Sequence, residues 1–217
     1  MSSNGECFDV GMTVMTALRR FKKTGVPFSG CTDEFSQGNG SLMRLAPIPI
    51  FYAPNVDRVI DYCGKSSKTT HAVAECVDAC RLFGVMLLMA LEGGYSKEEI
   101  LKQTIYKPTT PHRQAIATGN YFSKTEPQIH GTGYVVASLE AALWCFYSSE
   151  SFESAILRAA NLGDDADTTA AICGQLAGAF YGASEIPQKW LGKLVMRNDI
   201  EGMARQLMQL GEESSSD

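Results

Sequence analysis

Three carboxylates, Asp164, Asp165 and Asp167, stand within four positions, and Thr168 and Thr169 follow directly. Like charges packed this closely are costly unless something cationic sits between them. One aspartate can cap a helix and a second can favour its dipole. Three of them beside a hydroxyl exceed what a cap needs. Carboxylate and hydroxyl oxygens suit Mg2+, Mn2+ or Ca2+ and not zinc. Asp165 and Asp167, one residue apart in a turn, can point to one side, and the Thr168 hydroxyl can add a third oxygen. The favoured reading is a hard-cation site at a helix start, with Gly163 giving the preceding turn its backbone freedom.

A second stretch, Gly38-Asn39-Gly40-Ser41, precedes a short apolar helix that Pro47 and Pro49 are expected to stop. Its glycines let backbone approach a ligand closely, and N–H groups at a helix start favour phosphate. Without a lysine or a preceding strand it is neither a P-loop nor a dinucleotide fingerprint. On its own an ordinary tight turn explains it equally well. Cys76 and Cys80 lie four apart with His71 nearby, so a soft-metal site is conceivable, but small buried residues on one helical face are the commoner outcome.

The elements that must position these residues read as helices. Phe8, Met12, Met15, Leu18 and Phe21 recur at three- and four-residue steps and stop at Gly25. Thr69 to Gly94 runs over five turns, too apolar for a surface helix, with Thr69 or Thr70 as its cap. Ser96 and Glu99 form a capping-box pattern, Gly133 to Ser149 is largely apolar, and Ser151 to Gly163 carries a cap and a stop. Behind the aspartates, Gly174, Gly178 and Gly182 share one helical face that another helix can approach. A last helix spans Asp199 to Leu210, and residues 211–217 read as a disordered tail. Residues 108–128, rich in Thr and Pro, read as a long surface loop. No alternating strand pattern and no repeat is present. The fold class is all-α, one multi-helix globular domain over residues 1–210.

Composition narrows the function. The 217 residues are 45% hydrophobic with a net charge of −5, enough for one core. The densest basic run, Arg19 to Gly25, looks like a helix C-terminus, so a nucleic-acid surface is not expected. No membrane partner is expected either, since no window holds 18 uninterrupted apolar residues and no apolar signal region opens the chain. The seven cysteines are odd in number and form no C-x-x-C pair. These features predict a cytoplasmic protein without a disulfide framework.

Four stretches in this order, "GNGSLMRLAPI", "THAVAECVDACRLFG", "GTGYVVASLEAALW" and "GDDADTTAAICGQLAGAFYG", closely resemble the ADP-ribosylglycohydrolase family. The likeness is nearest to bacterial enzymes similar to the dinitrogenase-reductase-activating glycohydrolase, and it covers the chain up to about Leu210. It implies an all-α fold holding a pair of Mg2+ or Mn2+ ions and hydrolysing the bond between ADP-ribose and a protein side chain. Expected partners are thus ADP-ribose or an ADP-ribosylated protein. Residue by residue, Asp165, Asp167 and Thr168 match metal ligands, and Asp164 a variable position. Gly38, Asn39, Gly40 and Ser41 would border the ADP-ribose, with backbone donors on its phosphates. His71 matches a ligand-contacting residue, where a lone His would otherwise read as cap or core. Gly133 and Tyr134 match a ligand-packing pair, although Tyr134 alone reads equally as a core residue. Asp9 matches a catalytic acid near the scissile ribose, its alternative being an exposed helix-start residue. Arg44 is expected in a buried ion pair.

The chain departs from the family at its start. The family's Gly-Asp-Ala helix and Thr-Asp-Asp-Thr motif, which supply the other half of the metal site, are not found, and Glu6 is the only upstream acid. Three ligands from one helix end cannot complete two octahedral sites, so one ion or none is expected on this chain alone. An N-terminally truncated domain follows as the expectation. Either it hydrolyses with a segment supplied from elsewhere, or it is an inactive relative that binds ADP-ribose or a nucleotide, or a structural partner. A core lacking that helix would expose apolar surface, so a homodimer or the missing N-terminal segment is an expected partner.

Overall fold

The computed structural model describes residues 10–215, without the side chains at 113 and 215. In chain order the helices are α1 (Met12–Thr24), α2 (Pro47–Tyr52), α3 (Val56–Lys68), α4 (Ala74–Glu92), α5 (Lys97–Leu101) and α6 (Pro111–Ala117). They continue with α7 (Val135–Tyr147), α8 (Phe152–Asn161), α9 (Ala166–Tyr181), α10 (Gln188–Leu191) and α11 (Arg197–Ser215). Among the described residues there is no strand, only the isolated bridges Cys31–His71 and Gly38–Tyr134. The all-α expectation holds.

Helix α4 is the centre. Buried residues occur on all its sides, from Cys76 through Ala90, and it packs against α2, α3, α5, α6, α7 and α9. A helix apolar all round has no solvent face to present. Its closest neighbour is α3: a Cβ added to Gly84 would stand 2.4 Å from the Cys63 Sγ. Gly93 and Gly94, both at positive φ, end α4. Ser96 and Glu99 close a reciprocal capping box on α5, and Ser151 caps α8 as its sequence indicates.

Several boundaries differ from the sequence expectation. Pro47 and Pro49 do not stop a helix but open one, since a helix's first turn needs no proline N–H. Thr69 and Thr70 do not cap α4, whose N-cap is Val73; they follow α3, a helix that its small buried face of Cys63, Gly64 and Ser67 conceals from a search for large apolar residues. Residues 108–128 are no loop. They form α6 and two short 3-10 turns (Asn120–Ser123 and Glu126–Gln128) that bury Ile116 and Tyr121. Nor are residues 211–215 a disordered tail: α11 runs on to Ser215, with Gly211 buried so close to Phe51 of α2 that a Cβ would lie 2.2 Å from the Phe51 carbonyl oxygen. The glycine face of α9 does receive α8, through Ile156 at Gly174 and Phe152 at Gly178, whereas Gly182 is the C-cap at φ +88°.

Helix α1 buries only Ala17 and leaves Met12, Leu18 and Phe21 exposed.

The α3–α4 contact generates a prediction. Gly84→Ala forces Cys63 out of its position and should lower unfolding free energy by roughly 1–3 kcal/mol, read from urea denaturation. Gly93→Ala, at φ +74° and ψ 178° with nothing within 4 Å, adds no clash but forces a side chain into backbone that essentially only glycine adopts, and should cost about 1–3 kcal/mol from strain alone.

Candidate functional site

The Asp-rich stretch and the glycine turn meet although they lie far apart in sequence. Gly163 (φ +77°) and Asp164 (φ +51°) both adopt left-handed backbone, which Gly adopts freely and Asp tolerates. This double turn brings the Asp165 N–H to the Gly131 carbonyl at 2.9 Å, where the Thr169 hydroxyl also donates at 3.3 Å. Residues 131–134 thus run against the start of α9. The same segment bonds the glycine turn: Asn39 N–H donates to the Gly133 carbonyl at 3.1 Å and Val135 N–H to the Gln37 carbonyl at 2.9 Å.

Asp165 is the N-cap of α9, yet its carboxylate makes no bond to the helix backbone. Its Oδ2 instead accepts from Asn39 Nδ2 at 2.7 Å, and that amide also donates to the Ser138 hydroxyl at 3.1 Å. The plain capping explanation therefore fails for this aspartate. Asp167 Oδ1 accepts from the Thr168 N–H at 2.8 Å. Among the described residues neither these two carboxylates nor Asp164 has an ion-pair partner. Gln175, one helical turn or more further along α9, clamps the other end of the glycine stretch: its Oε1 accepts from Ala46 N–H at 2.7 Å and its Nε2 donates to the Leu42 carbonyl at 3.0 Å. Sequence reasoning missed Gln175, whose only signal is a lone amide inside a small, apolar helix.

A cleft of about 470 Å3 opens between these segments. Gly38, Asn39, Gly40, His71, Asp165, Asp167 and Thr168 all line it, together with Met43, Arg44 and, at and just before the start of α1, Val10, Gly11, Thr13 and Val14. Ser41, Gly133 and Tyr134 do not. Ser41 is fully buried, its hydroxyl accepting from Ser67 Oγ at 3.1 Å and from Cys80 Sγ at 3.4 Å. Gly133 serves through its carbonyl, and Tyr134 is 38% exposed, not a core residue. Asp9 and Glu6 lie outside the described residues.

His71 is buried at 2% exposure, its ring under the glycine turn. A Cβ at Gly40 would stand 3.0 Å from its Cε1, and one at Gly38 would stand 3.3 Å from its Nε2. The glycines thus admit an imidazole as well as any ligand. Burial, and next the neighbouring Arg44, lowers the His71 pKa to about 4. The expected ion pair of Arg44 is absent among the described residues. Its guanidinium donates to neutral oxygens instead: Ser66 Oγ and carbonyl, Thr69 Oγ1 and Thr70 Oγ1, at 2.8–3.2 Å. Cys76 and Cys80 form no metal cluster with His71. Their Sγ atoms donate to the Gly38 carbonyl and to Ser41, and no group of three His, Cys, Asp or Glu side chains is poised for a metal among the described residues. The donors at the α9 end of the cleft, the Asp165 and Asp167 carboxylates and the Thr168 hydroxyl, are oxygens and agree with a hard cation as part of its shell.

Comparison with known proteins bears on this site. A family model described as ADP-ribosylglycohydrolase matches residues 1–217. An ADP-ribosylarginine hydrolase of Serratia proteamaculans, Tri1, is 39% identical over 98% of this chain and 57% of its own length. Its namesake in Pseudomonas putida is 41% identical over 95% and 55%. The ADP-ribosyl-[dinitrogen reductase] glycohydrolase of Rhodospirillum rubrum is 29% identical over 89% and 62%. A solved ADP-ribosylglycohydrolase-related protein complex superposes with a TM-score of 0.84 at 36% identity, over 93% of this chain and 69% of that one. The chain spans a little over half the length of the curated relatives it matches. It belongs to the ADP-ribosylglycohydrolase family.

Two outcomes follow from the geometry. Asn39→Ala removes the donor to Asp165 and Ser138 and should destabilise by about 1–2 kcal/mol in urea unfolding. His71 is neutral in the fold, and the unfolded chain takes up its proton near pH 6.5. Stability tied to it is therefore full above that pH and is lost as pH falls towards 4, on the order of 3 kcal/mol in all. The pH dependence of unfolding should flatten by this amount over that window in His71→Gln.

Proposed function

We propose that this member of the ADP-ribosylglycohydrolase family binds ADP-ribose in the 470 Å3 cleft and hydrolyses its glycosidic bond to a protein side chain. The observation that carries the reading is convergence. A glycine turn fit to border phosphates, a buried histidine and three hard oxygens enter one cleft, with Asn39 and Asp165, 126 residues apart, bonded directly. Because the ADP-ribosylarginine hydrolases are 39% and 41% identical, arginine is the side chain to test first. Asp165, Asp167 and Thr168 would hold Mg2+ or Mn2+. A bound divalent ion supplies electrostatic stabilisation of charge developing on the ribose and on the attacking water.

The chain's own residues do the positioning. Asn39 holds Asp165 Oδ2 towards the cleft, and Gln175 keeps the glycine turn against α9. Water adds to the anomeric carbon as its bond to the side-chain nitrogen breaks. Asp9 is the proposed acid that guides the proton. A binding-only reading is favoured by one observation: among the described residues the carboxylates that line the cleft, Asp165 and Asp167, both come from a single helix start, fewer than a pair of ions would need.

Release of ADP-ribose from an arginine-ADP-ribosylated protein should require Mg2+ or Mn2+. It should fall at least about 100-fold in Asp165→Ala and in Asp167→Ala. Unchanged release in both variants overturns the metal assignment. No release, together with calorimetric binding of ADP-ribose, selects the binding-only reading.

A further inference from the structure

The hydroxyl cage around Arg44 has no evident use in anchoring a surface arginine, and it ends on His71. The Arg44 guanidinium donates to Thr70 Oγ1 at 2.8 Å, and the same oxygen lies 2.8 Å from His71 Nδ1. An arginine only donates, so Thr70 is an acceptor on that side and keeps its own proton to give away. Among the described residues the only acceptor in reach of that proton is Nδ1. If Nδ1 carried a proton, Thr70 would receive two donors while its own O–H, on a residue only 8% exposed, found no acceptor. Nδ1 is therefore the bare nitrogen, and the neutral ring carries its hydrogen on Nε2. That nitrogen has no hydrogen-bond partner among the described residues. It lies beside Gly38 in the cleft wall.

We propose that Arg44 and Thr70 are positioning residues that lock His71 in its Nε2–H tautomer, so that the cleft offers a neutral donor to an oxygen of bound ADP-ribose. The proposal deepens the ADP-ribose reading and rests on it for the identity of the acceptor. A neutral donor has a chemical advantage here. An imidazolium would pull an anionic ligand strongly, but it would also sit beside the Arg44 cation, and burial disfavours its charge. The Nε2–H group instead selects for an acceptor at one position without adding charge. The tautomer is set through Thr70, which does not line the cleft.

Thr70→Val keeps the side-chain shape and deletes the hydroxyl; Thr70→Ser restores it. With only three histidines in the chain, the ring 15N spectrum can be assigned by comparison with His71→Gln. Wild type and Thr70→Ser should show a single Nε2–H tautomer for His71, and Thr70→Val a mixture. ADP-ribose affinity by calorimetry should fall roughly five- to tenfold in Thr70→Val and recover in Thr70→Ser. If Thr70→Val proves unfolded by its thermal transition, Arg44→Met supplies the 15N readout alone, since Arg44 itself lines the cleft. It frees Thr70 to accept from Nδ1–H and should likewise mix the tautomers. An unchanged Nε2–H signal in the folded variant overturns the proposal. So does an unchanged affinity where wild type binds. Wild type that binds no ADP-ribose would defeat the functional reading, while the 15N spectrum still decides the tautomer.

Discussion

The two-way hydrogen bond of the Asn39 amide is the constraint on which the site depends. Its Nδ2 reaches Asp165 on α9 and Ser138 on α7, while its backbone N–H reaches the Gly133 carbonyl. Three chain segments are thereby fixed to one residue that is 7% exposed. An acidic side chain there would repel Asp165, and an apolar one would leave its Oδ2 without this donor. Asn39 belongs to the motif that suggested ligand contact. Its side chain is occupied with the protein, and what it offers the cleft is the orientation of a carboxylate.

A similar division of labour runs through the neighbouring residues. Ser41 faces inward to Ser67 and Cys80, and burial raises the pKa of the Cys80 thiol. Cys76 donates to the Gly38 carbonyl. These thiols act as small polar packing groups beneath the glycine turn. The turn thus rests on a floor of hydroxyls, thiols and one imidazole, with α4 below it supplying two of the thiols.

Much of this was legible in the sequence. The Asp165, Asp167 and Thr168 cluster and the Gly38–Gly40 turn were visible because charge crowding and paired glycines are local signals, and both line the cleft. The all-α class and the central α4 were visible because apolar runs of that length have few alternatives. Other features depend on partners distant in sequence. Gln175 has meaning only beside Leu42 and Ala46. Arg44 was misread because an arginine within an apolar stretch suggests a buried carboxylate partner, yet its side chain is exposed and hydroxyls and a carbonyl satisfy it. Helix α3 was hidden by its small buried residues, and the prolines of α2 were read as an end when they form a beginning. Residues 211–215 looked like a tail because their polar composition does not show that Gly211 fits beneath Phe51.

The separation of 126 residues between Asn39 and Asp165 has an entropic consequence. Closing a flexible loop of that length costs on the order of 4 kcal/mol in chain entropy. A single hydrogen bond returns about 1 kcal/mol net. The bond between the two motifs therefore cannot hold them together by itself. That closure is carried by the helices packed around α4, and the site inherits its geometry from a core that contains none of its carboxylates.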